Sequence, residues 1–97
     1  MQITVPTIAT LTMTSANTEY VYNVPANVHY ILFKLRDPGT NLFMSYAKGV
    51  VASQTNPYMT IPAGSSKEIN STNLPAGLPI YFATGSSSMT LEIETWQ

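Results

Sequence analysis

The chain has no cysteine, a single histidine, a single aspartate and only four basic residues. Each scarcity removes a class of chemistry. Without cysteine there is no disulfide, no thiolate nucleophile and no cysteine-held metal. Lys34, Arg36, Lys48 and Lys67 are too few and too scattered to neutralise a phosphate backbone, so no nucleic-acid partner is expected. Charged residues make up 9% of the chain, against roughly 25% in an ordinary soluble protein. With a net charge of −1 the surface carries no strong field to steer a charged partner. No stretch approaches the length of a membrane span. Met1 to Pro6 has neither a basic segment nor a continuous apolar one, so it does not read as a secretory signal. The expectation is a protein made in the cytoplasm, with no signal peptide, no transmembrane segment and no membrane partner.

What replaces charge is small polar side chains, with Ser, Thr, Asn and Gln supplying about a third of the 97 residues. Such a surface is wet but has few long charged side chains to lose entropy when covered. The hydrophobic fraction of 44% is ordinary and predicts a folded chain. The length suits a single domain over residues 1–97. The seven prolines leave few intervals long enough for a helix, and no window keeps a 3.6-residue apolar period.

Strands fill the intervals instead. Ile3–Val5 and Ile8–Thr14 come first, then Glu19–Val24 after a turn at Asn17. Val28–Arg36 carries Ile31, Phe33 and Leu35 on one face and Lys34 and Arg36 on the other. Asp37-Pro38-Gly39-Thr40-Asn41 is a turn signal, with proline presetting one φ and glycine accepting a positive one. It predicts a hairpin with Leu42–Ala47. Lys48 to Asn56 reads either as a short strand at Val50-Val51-Ala52 or as a loop over the core. Tyr58–Ile61, a turn at Pro62–Ser66, a weak strand at Lys67–Ile69 and a loop from Asn70 to Gly77 follow. Ile80–Thr84, Gly85-Ser86-Ser87-Ser88 and Met89–Trp96 predict a final hairpin. About seven or eight short strands specify an all-β antiparallel sandwich, either a jelly roll or an immunoglobulin-like arrangement.

The final strand is the most informative stretch. Met89, Leu91 and Ile93 alternate with Thr90, Glu92 and Glu94, and then Trp96 falls on the polar side. Either the strand bends there or something covers that face. Thr90, Glu92, Glu94 and Trp96 are therefore candidate interface residues. The chemical alternatives are weaker. His29 has no neighbouring group to orient it as a base and reads as a residue of the strand's rim. Asp37 opens a turn, where carboxylates accept backbone N–H groups. Glu92 and Glu94 lie about 7 Å apart along one face, a separation compatible with glycoside cleavage. A chain of this size leaves little room for the cleft such an enzyme needs. Gly85-Ser86-Ser87-Ser88 lacks the second glycine of a nucleophile elbow. No segment has the Gly-Lys-Ser/Thr ending of a phosphate loop. Asn70-Ser71-Thr72 fits the glycosylation acceptor pattern, and with no secretory signal expected the match reads as chance. No enzyme, cofactor or metal is expected. Six tyrosines and one tryptophan outnumber three phenylalanines, a balance that suits half-buried strands, sugar stacking or an interface centre.

The threonine-rich first strand, Val28-His29-Tyr30-Ile31-Leu32-Phe33-Lys34-Leu35-Arg36, Thr60-Ile61-Pro62-Ala63-Gly64, Leu78-Pro79-Ile80-Tyr81-Phe82-Ala83-Thr84 and Thr90-Leu91-Glu92-Ile93-Glu94-Thr95-Trp96 form a pattern. It resembles the small, cysteine-free β-sandwich structural proteins of tailed-phage virions, head decoration (cement) proteins and head-fibre modules among them. The resemblance is one of overall pattern, without a diagnostic motif, and brings no catalytic residue. It implies a non-enzymatic virion protein that joins the major capsid protein or other virion subunits, commonly as a trimer or another symmetric homo-oligomer. It also implies a terminal arm, for which residues 1–7, with Gln2 and Ile3, are the candidates. The competing reading is a carbohydrate-binding, lectin-like module that stacks sugars on tyrosine and Trp96.

Overall fold

The computed structural model describes residues 5–70 and 74–97, so Gln2, Ile3 and most of the expected first short strand lie outside the described residues. The rest is all-β, with eight strands. They are β1 (Thr7–Met13), β2 (Tyr20–Asn23), β3 (Tyr30–Leu35), β4 (Leu42–Ser45), β5 (Met59–Ile61), β6 (Ser66–Asn70), β7 (Pro79–Thr84) and β8 (Met89–Trp96). β6 extends the expected weak strand by one residue at each end. Val50–Ala52 is loop, not strand.

Two four-stranded sheets form, in the orders β1-β8-β3-β6 and β2-β7-β4-β5, and every pairing is antiparallel. The pairs β1·β8, β2·β7, β3·β6 and β4·β5 nest symmetrically, as if one long ribbon were folded over into two sheets. That is the eight-stranded jelly roll, and it settles the choice against the seven-stranded immunoglobulin order.

This topology corrects both expected hairpins. β3 and β4 lie in different sheets, and so do β7 and β8. Their short connections are corners. At Gly85–Ser88 the backbone bonds run to the neighbouring corner, with Ser88 N–H donating to Thr14 O (3.0 Å) and Asn17 N–H to Thr84 O (2.8 Å). Ser88 takes a left-handed φ of 57° and Asn17 one of 52°. The Asp37 turn also differs in detail. Gly39 is not among the glycines with positive φ. Instead Asp37 Oδ1 accepts the Gly39 N–H at 2.8 Å, the carboxylate role expected of it. Asn41 Oδ1 in turn accepts the Ala63 N–H at 2.8 Å, tying this corner to the next.

The core lies between the sheets. Ile31, Phe33 and Leu35 meet Leu91 and Ile93 on one side and Leu42, Met44, Ile80 and Phe82 on the other. Phe33 is its centre, with ring centroids 5.0 Å from Phe82 and 6.2 Å from an edge-on Tyr22. The alternation read in β3 and β8 therefore points where it was expected to.

Candidate functional site

A jelly roll has two outer faces, and here they are treated differently. On the β2-β7-β4-β5 sheet, Phe43, Ser45, Tyr81 and Ala83 point outward by register. Ala83 and Ser45 are nevertheless buried, and so is Val51 of the long β4–β5 connection. Val51 and Ala83 stand outside the intersheet core cluster. Residues 46–58 fold back over this face. The Ser45 hydroxyl donates to Pro57 O (2.6 Å) and accepts from Ala47 N–H (3.0 Å). Gly49 N–H reaches Glu19 Oε1 (2.7 Å) at the start of β2. At the two edges of the sheet Val21 and Asn23 of β2 and Thr60 of β5 stay exposed, Val21 at 45%.

The outer face of β1-β8-β3-β6 has no such cover from the described residues. Its cross-strand rows are Trp96–Tyr30–Asn70, Ile8–Glu94–Leu32–Glu68 and Thr10–Glu92–Lys34–Ser66, followed by Thr12–Thr90. The ladder runs unbroken to Tyr30↔Trp96, and beyond it His29 N–H donates to Trp96 O at 2.9 Å. Strand β8 therefore does not bend at Trp96. The indole lies on the polar side because the sheet places it there. Its Nε1–H donates to Glu94 Oε1 (2.9 Å), and its residue remains 38% exposed, beside an Ile8 that is 71% exposed.

The charged side chains of this face are mostly engaged. Arg36 Nε donates to Glu92 Oε2 at 3.0 Å, and this is the one ion pair among the described residues. Burial, the charge and hydrogen bond of Glu68, and the charge of Glu94 together raise the Tyr30 phenol above its ordinary value. A hollow of about 500 Å³ is lined by Tyr30, Glu94 and Trp96. Another, of about 180 Å³, lies between Ile8, Leu32, Lys34 and the two glutamates.

The structure thus brings Thr90, Glu92, Glu94 and Trp96 onto one face, as the alternation required. It adds Ile8, Tyr30 and Leu32, which sequence reasoning missed. The signal for Tyr30 and Leu32 was present, since period two puts both with Lys34. Glu92 and Glu94 are held by different donors and share no deep cleft. His29 is exposed at the rim, just before β3. Among the described residues no three of His, Cys, Asp and Glu gather to hold a metal, and no helix is long and apolar enough to cross a membrane.

A further concavity lies at the sandwich edge where β5 faces β6. It holds about 530 Å³ and is lined by Met44, Ser45, Tyr46, Ala47, Pro57, Tyr58, Met59 and Lys67. No sequence signal pointed to it, because its walls come from strands in different sheets. Comparison with protein-family models, curated proteins and solved structures gives no match.

Proposed function

We propose that this chain is a non-enzymatic structural protein of a tailed-phage virion, of the capsid-decoration kind, docking on the assembled shell through the outer face of β1-β8-β3-β6. The observation that carries the docking face is the asymmetry between the two outer faces. One has its middle covered by the chain's own loop, burying Ser45 and Ala83, while the other leaves Ile8 and Trp96 open beside Tyr30 and Leu32. Large aromatics partly packed by their own domain lose little freedom on docking and make good interface anchors. The virion assignment rests on the sequence resemblance.

Size argues for more than one contact. A standard interface covers about 800 Å² per partner, close to a seventh of this molecule's 5526 Å² surface. A four-stranded face spans a footprint of only roughly 400 Å² by strand spacing and rise. The remainder falls to the residues before β1, which starts at Thr7 and so shortens the expected arm by one residue, with Val5 72% exposed, and to symmetric copies, with a trimer the favoured group. Such copies bind together more tightly than any one contact. The test is to mix purified protein with capsid shells that lack it. Saturable binding is expected, and no binding by a protein that stays monomeric at high concentration would reject the reading.

The lectin-like reading has one specific support. Trp96 and Tyr30 stand side by side with Glu94 and Glu68 in the next row, offering ring faces for a sugar and carboxylates for its hydroxyls. It predicts a glycan-dependent shift of tryptophan fluorescence that disappears in Trp96→Ala. A silent glycan array removes it.

A further inference from the structure

The concavity between β5 and β6 begins as a departure from strand parity. Met59 pairs with Met44 and Lys67 with Phe33. Directly opposed residues of antiparallel strands share a face, and Met44 and Phe33 are fully buried. Met59 and Lys67 therefore point into the sandwich. Yet Met59 is 48% exposed and Lys67 only half-buried. The sheets stand open at this edge, leaving a concavity with the buried Met44 among its lining residues.

The opening is built rather than loose. One wall is formed where the chain leaves β4 and returns into β5, with Lys67 of β6 across from it, and the Ser45 hydroxyl holds that wall together by donating to Pro57 O and accepting from Ala47 N–H. Tyr58 is braced edge-on against Phe43, with centroids 5.9 Å apart. The lining is mainly apolar, with Met44, Met59, Pro57 and Ala47 and the aromatic Tyr46 and Tyr58 among its residues. Its volume of about 530 Å³ falls within the range of small-molecule sites, roughly 300–1,000 Å³. Lys67 is the one charged side chain lining it, and among the described residues its ammonium makes no ion pair.

We infer that this groove binds a small apolar monocarboxylate, its tail between Met59 and the two tyrosines and its carboxylate on Lys67. The class follows from the lining. Apolar walls with one cation match one apolar body and one anionic group. A neutral sugar would need several convergent hydrogen-bonding groups, and the Ser45 hydroxyl is already used. The site lies at the β5–β6 edge and stands independently of the docking face.

Titration of protein with isotope-labelled methionine methyl groups, read by NMR, tests it directly. Met44 and Met59 line the groove, whereas Met13 lies in the core and Met89 on β8. Octanoate is expected to shift the Met44 and Met59 methyls and leave those of Met13 and Met89 in place. Hydrocinnamate, with an aryl tail, gives the second arm, and whichever carboxylate binds tighter names the tail. Octanol is expected to bind about two- to fivefold more weakly than octanoate, the worth of one partly exposed ion pair. Lys67→Glu is expected to invert the preference in favour of octylammonium, a result that a merely misfolded variant would not give. The inference is overturned if neither carboxylate moves the two methyls at millimolar concentration, or if the Met13 and Met89 methyls move as far as those of Met44 and Met59. Equal binding of octanol and octanoate, or an unchanged preference in Lys67→Glu, also overturns it.

Discussion

Ile8→Thr separates docking from folding. The Ile8 residue stands 71% exposed on β1, opposite Glu94. Complete burial of an isoleucine side chain is worth roughly 1.5–3 kcal/mol. About seven-tenths of that, on the order of 1–2 kcal/mol, is still to be realised when a partner covers the face. Threonine keeps the β-branch and the strand preference, so the fold loses little. It also keeps one methyl, so about 1 kcal/mol of the docking term is lost. Each contact should then weaken about fivefold, and a symmetric group that docks through several copies should weaken more steeply. The stability of the isolated protein should change by no more than about 0.5 kcal/mol, as for most exposed positions. Urea denaturation reads the second quantity, and cosedimentation with shells lacking the protein reads the first. Unchanged occupancy on the shells would refute the docking face. A stability loss above about 1 kcal/mol would show that Ile8 serves the fold instead.

Three further outcomes follow from the packing. Phe33→Ala should cost about 3–5 kcal/mol in urea denaturation, because it empties the space between Phe82 and Tyr22 at the centre of the core. Ser45→Ala leaves Pro57 O and Ala47 N–H without their shared partner. It should cost about 1–3 kcal/mol and speed hydrogen exchange at Ala47 while leaving exchange in β8 less affected. The phenols of Tyr22 and Tyr46, raised by burial, and of Tyr30, raised by burial and then by Glu68 and Glu94, all sit above the ordinary value of 10.0. The folded state holds these protons more tightly than the unfolded one. Their contribution is therefore complete below the ordinary value and is lost as pH rises through the folded values. Urea midpoints measured from neutral to strongly alkaline pH should fall at the alkaline end, and the fall should be shallower in Tyr30→Phe.

The alternation of β3 and β8 was legible residue by residue, because a strand with one dry face must place apolar side chains every second position. Pairing was not. A tight turn carries the same proline, glycine and serine signals whether the chain folds back within a sheet or rounds a corner between sheets. The outcome depends on where the flanking backbone groups find partners. At Ser88 that partner is Thr14, and at Asn17 it is Thr84. Both bonds join distant parts of the chain, which no local signal could give. The groove was hidden for a related reason. Lys67 begins a stretch with little strand character of its own, so its inward parity appears only once Phe33 lies opposite it.

Trp96 shows how far parity alone reaches. Alternation placed the indole on the polar side but left two explanations, a bent strand or a covered face. The ladder through Tyr30↔Trp96 removes the bend. Cover is then a question about the face, and the other sheet supplies the comparison. There, Ala83 points outward and is still buried, because residues 46–58 cross over it and bond Glu19. That cover lies in a loop whose sequence carries no strand period, so period-two reading could not tell which outer face the chain would shield itself. Once one face is seen to be self-covered, the exposed Ile8 and partly exposed Trp96 on the other become informative together. Each alone is an ordinary surface residue. On one sheet, in adjacent rows, with Tyr30 and Leu32 beside them, they form a continuous surface that a partner could cover.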